Sequence, residues 1–361
     1  MNILLSERIN SANQYIELLA DAYRKRGHTV TFDVQNVLYS NALPEVLHLQ
    51  WPEAMYKWRH PLEKNRETLE LIESRLNWYG RNGVPIVYTV HNLLPHSHVT
   101  DFDRAAYRAV VSAADVFVHH GPASEPLLKE RYPDCKEAIH IVTPHGPYDY
   151  EEADGAETRK QYGLPQDRRI VLNFGRQRKS KGPEFISGVC RRVAGRPAGP
   201  KLCLFTIGPS PTDSNVQKVV RRVNRVIQPR FPAVCRRVDH FRDVDHREIP
   251  GIMAASDLLF LGHTKGLNSG LLVLAISYGK PVLYPDLGNF RDQADGWEWA
   301  RPYKPADPGS AAAEMKTLLE QMDGSRTAGA RYPNGEWLAR NSWEKGVDAI
   351  AEAVERWRKH P

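Results

Sequence analysis

Arg176, Arg178, Lys179 and Lys181 put four cations within six residues, directly after the apolar run Ile170–Phe174 and between Gly175 and Gly182. Glycine at each end lets the backbone turn tightly and approach a ligand. Pro183 is placed as the first residue of a helix, where its missing N–H costs nothing. Such cations at a strand's carboxyl end repel one another unless they share an anion. A diphosphate suits them, because arginine binds it through paired N–H groups and lysine acts as a point charge. A solvated basic loop is the plainer reading. A second stretch, Gly266-Leu267-Asn268-Ser269-Gly270, precedes the apolar run Leu271–Ile276. A turn of this kind opening a helix offers an anion free backbone N–H groups and the positive end of the helix dipole. Asn268 or Ser269 also fits a plain N-cap, and one backbone arrangement can serve both roles.

The elements that must position these turns alternate between short apolar runs and helical patterns. In the first half, Asn2–Ser6, Thr29–Asp33, Val46–Trp51, Pro85–His91, Asp115–His120 and Ile139–Pro144 read as strands. Ala12–Arg26, Leu62–Tyr79, Arg104–Ala113 and Ala123–Arg131 read as helices. The alternation resumes at Arg169–Phe174, Lys201–Ile207, Ala233–Phe241, Asp257–Leu261 and Pro281–Tyr284. A helix over Ser214–Ile227 places Val216, Val219, Val220, Val223 and Ile227 on one face. Strands apolar on both faces predict parallel sheets covered by helices. The polar, acidic stretch Tyr148–Gln166 divides the two series, and Pro302–Pro308 is a second break before two closing helices. The expected architecture is α/β, with two Rossmann-like doubly wound domains (residues 1–160 and 161–335) facing a cleft. Ligands of such sheets bind beyond the carboxyl ends of the strands.

Composition bounds the function classes. A chain of 361 residues is long enough for two domains. With 41% hydrophobic and 25% charged residues it reads as a soluble globular protein. No apolar run approaches the ~20 residues that span a bilayer, so a transmembrane helix is not expected. The opening MNILLSERIN reads as a first core strand rather than a signal peptide. Cys135, Cys190, Cys203 and Cys235 are far apart in sequence and read as reduced thiols of a cytosolic protein. A net charge of +6 suits anionic partners such as sugar diphosphates, anionic lipid headgroups or nucleic acid.

GR-x4-KG at residues 175–182, a turn and helix ending in AISYGKPVLYPDLG, and the closing NSWEKGVDAIAEAVERW together resemble GT-B-fold glycosyltransferases. The similarity is to the large retaining family four and the bacterial exopolysaccharide enzymes related to it, over most of residues 170–290 and more weakly in the first domain. It implies a nucleotide-diphosphate sugar as co-substrate, with no other cofactor. Arg176 and Lys181 would bind the donor diphosphate, and Gly175, Gly182, Asn268, Ser269, Gly270 and Leu271 would surround it. A closing helix within residues 336–361 would pack back on the first domain. The pattern of family four places a glutamate at each end of a nine-residue segment before A-x-x-x-G-K-P-V. Those positions are Gly266 and Leu274 here. One glutamate normally faces the transferred sugar and the other the donor ribose, so this is a divergent branch.

Two strand ends of the first domain stand out. Leu49-Gln50-Trp51-Pro52-Glu53 ends in an aromatic, a proline and a carboxylate. The run from His91 to His96 (HN-x-x-P-H) resembles a first-domain motif of the same enzymes, where a histidine reaches the cleft. Sugars stack on aromatic faces and are oriented by a few polar groups, so Trp51 with Glu53 or His91 fits a sugar-binding wall. An inverting enzyme needs a general base for the acceptor hydroxyl, and Glu53 or His91 are the catalytic candidates. In a retaining enzyme of this fold they would only bind. His119 and His145 also end strands and, with Trp51, are candidate acceptor contacts; strand-end histidines also satisfy loop backbone. Asp101-Phe102-Asp103 and Asp243-Val244-Asp245 match D-x-D formally, but both precede helical segments and read as N-caps, so no metal site is expected. Residues 55–60 mix aromatics with cations, which fits either a surface resting on anionic lipid or a partly buried aromatic loop.

The expected activity is glycosyl transfer from a nucleotide-diphosphate sugar to a glycan or polyprenyl-linked acceptor, in bacterial exopolysaccharide or cell-surface glycan synthesis. The expected setting is the cytoplasm, at the inner face of the membrane where peripheral contact is made, without a nucleic-acid partner. Two alternatives stand beside it: a nucleotide-sugar epimerase of the same fold, and a non-catalytic nucleotide-sugar-binding protein.

Overall fold

The computed structural model describes residues 1–9, 13–58, 60–95, 98–195, 199–209, 235–323 and 329–359. The helix expected over Ser214–Ile227, the first residues of the strand expected over Ala233–Phe241, Arg59 and His96 lie outside them.

Two parallel sheets of six strands account for the alternation. The first contains β1 (Asn2–Leu5), β2 (Thr29–Phe32), β3 (Val46–Leu49), β4 (Ile86–Thr89), β5 (Val116–His119) and β6 (Ile139–Val142), in the order β2-β1-β3-β4-β5-β6. β3, β4 and β5 are buried at every position, as both-face coverage by helices requires, whereas the edge strand β2 is partly exposed. The helix Tyr15–Lys25 buries Ile16, Leu19, Ala20 and Tyr23 and ends in Arg24 and Lys25, whose charges suit the negative end of its dipole. Thr100 and Asp103 form a reciprocal capping box that opens the helix Asp101–Ala113.

The second sheet contains β7 (Arg169–Phe174), β8 (Leu202–Ile207), β9 (Cys235–His240), β10 (Leu258–Phe260), β11 (Val282–Pro285) and β12 (Ala300–Tyr303). Its order is β12-β11-β10-β7-β8-β9. The chain lays down three strands in one direction, returns to the far side of β7, and continues outward through β10. The carboxyl ends of β7 and β10 are therefore the switch point, where a doubly wound sheet opens a crevice. The equivalent place in the first sheet lies between β1 and β3.

The chain divides into two compact units, one of Met1–Pro147 with Leu338–Pro361 and one of Tyr148–Trp337. The divide falls before the acidic stretch rather than near residue 160, because the helix Gly155–Gln161 packs against the helix Ile249–Ala255. Arg159 of that helix reaches Asp257 in a buried ion pair of 2.7 Å at the amino end of β10. After Pro308 there are three described helices rather than two, Pro308–Asp323, Gly335–Arg340 and Trp343–Lys359. No described helix is long and apolar enough to cross a membrane.

Candidate active site

The basic loop after β7 is folded back on itself at the switch point. Gly175 has φ +91°, and a Cβ there would lie 3.3 Å from Lys181 Nζ and 3.6 Å from Leu271 Cδ1. The lysine ammonium therefore reaches across the end of β7 to the first turn of the helix Gly270–Ser277. Gly182 has φ +56°, and a Cβ on it would meet the Gly262 carbonyl at 2.4 Å. Only glycine allows the loops after β7 and β10 to touch there. Thr264 N donates to Ser180 O at 2.9 Å and ties the same two loops. Gln177 is buried and clips the turn: its Oε1 accepts from Asn173 Nδ2 at 2.8 Å and its Nε2 donates to Gly175 O at 2.6 Å.

Arg176 is exposed, Arg178 and Lys181 are half-buried, and no carboxylate pairs with any of the three among the described residues. Desolvation, followed by the charges of Arg178 and Arg176, pushes the Lys181 ammonium down to about 8. Desolvation and Arg176 lower Arg178 as well. Clustered, partly desolvated cations of this kind favour an anion as their common partner.

The second turn is braced from behind. Asn289 Nδ2 donates to Asn268 Oδ1 at 2.8 Å, and Ser269 N donates to Gln293 Oε1 at 2.9 Å. Ser269 is the N-cap, its hydroxyl accepting from Leu272 N at 3.2 Å. The amides of Gly270 and Leu271 have no acceptor among the described residues. The cap and the open amides coexist, and Lys181 Nζ and the Leu271 side chain both pack over Gly175. Where family four carries its two glutamates, Gly266 lies against the Phe290 ring and Leu274 is buried.

In the first unit the rings gather around Tyr15, at the start of its helix. Trp51 stacks on His91 with centroids 4.1 Å apart and planes 13° from parallel. Tyr15 meets the edges of His91 at 4.8 Å, His145 at 5.0 Å and Trp343 at 5.0 Å. Its hydroxyl is 3.0 Å from His120 Nε2, and His91 Nε2 donates to Gln50 Oε1 at 2.8 Å. Burial, reinforced by His145, lowers His120 to about 3, and burial lowers His145 to about 4. Both imidazoles are neutral at physiological pH, so this wall is aromatic and polar rather than cationic.

Two expected site residues are placed elsewhere. Glu53 lies in the buried 3-10 turn Pro52–Met55, and its Oε2 accepts from Tyr107 at 2.5 Å. Burial raises its carboxyl above the ordinary value, and none of the ring contacts around His91 involves it. His119 is fully buried between Ser124 Oγ, 3.0 Å from Nδ1, and His140 Nδ1, 2.9 Å from Nε2. Successive strand residues point to opposite faces, so His120 joins the cluster and His119 does not. Trp51, His91 and His145 are brought together with His120, the neighbour of His119 at the same strand end, while Tyr15, Gln50 and Trp343 join them without having been singled out from sequence. The D-x-D matches are structural. Asp103 completes the Thr100 capping box and pairs with Lys64 at 2.7 Å, while Asp245 caps a short 3-10 turn. No group of three or more His, Cys, Asp or Glu among the described residues is arranged to hold a metal ion.

No protein-family model matches the chain. The GDP-mannose:glycolipid 4-beta-D-mannosyltransferase of Xanthomonas campestris pv. campestris is 27% identical over 285 residues, covering 76% of this chain and 70% of that protein. The D-inositol 3-phosphate glycosyltransferase of Geodermatophilus obscurus is 23% identical over 307 residues, covering 78% and 64%. The crystal structure of HepE from Anabaena in complex with UDP-glucose superposes at a TM-score of 0.66, with 17% identity, over 98% of this chain and 99% of that one. The chain has the GT-B fold and is similar in sequence to these glycosyltransferases. The sucrose-phosphate synthase of Thermosynechococcus elongatus shares this fold at a TM-score of 0.64 and 17% identity, over 100% and 99%. The basic loop and the open helix start lie at the switch point of the second sheet, where doubly wound sheets accept their ligands.

Proposed function

We propose that the protein is a glycosyltransferase that binds a nucleotide-diphosphate sugar at the switch point of its second unit and passes the sugar to a glycan or polyprenyl-linked acceptor in bacterial cell-surface glycan synthesis. The observation that carries the reading is the cluster of Arg176, Arg178 and Lys181 after β7, with no carboxylate paired to those cations among the described residues. Lys181 Nζ and the Leu271 side chain both pack over Gly175, at the start of the helix whose first amides are open. Arg176 and Lys181 bind the diphosphate, the two amides add dipoles, and Gly175 and Gly182 give the loop its close approach. Asn268 Oδ1 and Ser269 Oγ shape the turn by accepting from Asn289 and Leu272, and the Asn268 amide and Ser269 hydroxyl carry the donor groups that a phosphate accepts from.

Glycosyl transfer passes through an oxocarbenium-like centre while a diphosphate departs. Fixed cations and amides already aimed at the departing oxygens stabilise that charge without reorganising. On the acceptor side, Trp51 and His91 form a face against which a pyranose stacks, with His145 behind it. With Glu53 held by Tyr107, His91 is the candidate to take the proton of an acceptor hydroxyl if transfer inverts. A lipid-linked acceptor also accounts for Trp58, which is 48% exposed beside Lys57 and 6.0 Å from Trp51, as a peripheral membrane contact.

The test is to incubate the protein with UDP-glucose, GDP-mannose and related donors, with and without a bacterial glycolipid extract, and to measure nucleoside diphosphate release. Release that depends on the extract and is lost in Arg176→Ala supports transfer. Nucleotide binding without release under all conditions would point to a non-catalytic binding protein.

A further inference from the structure

Trp343 opens the helix Trp343–Lys359, which packs against the helix Tyr15–Lys25 and the strands β5 and β6 of the first unit. Its indole N–H donates to the Pro147 carbonyl at 2.7 Å. Its ring lies so close over Gly146 that a Cβ there would be 2.2 Å from Trp343 Cδ2. Gly146 is not among the glycines with positive φ, so its backbone suits any L-residue. The ring, not the turn, is what demands glycine. The same ring stands edge-on to Tyr15 at 5.0 Å with planes 72° apart, and 5.8 Å from His145. Tyr15 is 3% exposed and carries this contact onward, through its hydroxyl to His120 and through its ring to His91 and Trp51. The closing helix thus supplies one wall of the box that holds Tyr15.

We propose that Trp343 is a positioning residue for the acceptor side of the reaction: seated on Gly146 and Pro147, it fixes Tyr15 and through it the Trp51–His91 face. This rests on the reading of that face as acceptor-binding. Removing the indole leaves a void beside Tyr15, and packed rings do not keep their places against a void. A Cβ on Gly146 pushes the ring off its seat and disturbs the same box.

The experiment uses the full chain, with UDP and GDP as donor-side probes and a bacterial glycolipid extract titrated as the acceptor. Trp343→Ala is expected to raise the apparent KM for extract about tenfold, with kcat and nucleotide Kd within about twofold of the parent. Trp343→Phe restores most of the loss. In histidine-labelled protein, Trp343→Ala moves the ring titrations of His120 and His145 up toward ordinary imidazole values, and Trp343→Phe does not. Stability gives an independent check: Gly146→Ala lowers Tm by several degrees in the parent but by less than about one degree in Trp343→Ala, because the clash is gone. Additive effects of the two changes, or unmoved histidine titrations, would overturn the proposal. Trp51→Ala separates the two levels. If it raises the extract KM and Trp343→Ala does not, the positioning role is wrong while the acceptor face stands. If neither changes it, the acceptor reading fails and takes the positioning role with it.

Discussion

The depressed Lys181 ammonium makes a prediction whose size can be worked from the structure. In the free protein, desolvation and two neighbouring guanidinium groups hold this group at about 8, below its ordinary 10.5. A bound diphosphate reverses the neighbouring charge and favours the protonated form, so the bound state holds the proton more tightly. Nucleotide affinity is then complete below pH 8 and falls as pH rises from about 8 toward 10.5. If binding restores the ordinary value, the gap at ~1.4 kcal/mol per pH unit limits the effect to about 3.5 kcal/mol. The realised part is smaller because phosphate, Arg176 and Arg178 share the field. Isothermal titration of UDP and GDP between pH 7 and 9.5 should show Kd rising with a slope approaching about tenfold per pH unit above pH 8. Lys181→Met should weaken binding at pH 7 by about 1.5–3 kcal/mol, as loss of a charge-assisted contact does, and flatten the slope. A Kd independent of pH over this range, together with an unaffected Lys181→Met variant, would refute the argument that this lysine meets the phosphates.

Gln177→Ala leaves Asn173 Nδ2 and the Gly175 carbonyl without their partner, and should weaken UDP and GDP binding by about 1 kcal/mol in the same titration. Glu53→Gln keeps an acceptor for the Tyr107 hydroxyl, so extract-dependent turnover should stay within about threefold of the parent; a loss near a hundredfold would restore Glu53 as a base. Arg159→Met leaves Asp257 buried without its closest charge partner, and should cost about 3–5 kcal/mol in urea unfolding. Nucleotide Kd of that variant, measured well below its Tm, should be unchanged, because the pair lies at the amino end of β10 and the phosphates at the carboxyl end.

The sheets were legible because both-face burial leaves near-continuous apolar runs such as Arg169–Phe174 and Lys201–Ile207. The donor-side residues were legible for a local reason: the glycines, cations and cap of the two turns are contiguous in sequence. What joins the two turns was not, since only the strand order sets β7 beside β10 and lets Lys181 reach Leu271. The first unit was read less well, because its cluster is assembled from six separate segments. His119 and His120 are adjacent, and a strand sends them to opposite faces, but which one faces the rings depends on register against β6. Glu53 looked like a free strand-end carboxylate until the turn Pro52–Met55 buried it. Gln177 lay inside the basic loop and gave no sign that it, rather than a cation, would hold the turn. Tyr15 and Trp343, more than three hundred residues apart, carried no local signal of being partners.

The most direct test of the central claim is a crystal structure of the protein with UDP-glucose or GDP-mannose bound. The account predicts both phosphates at the carboxyl ends of β7 and β10, with oxygens about 3 Å from the Gly270 and Leu271 amides, the Arg176 guanidinium and Lys181 Nζ. Phosphates bound elsewhere, with Arg176 and Lys181 making no contact to them, would contradict it.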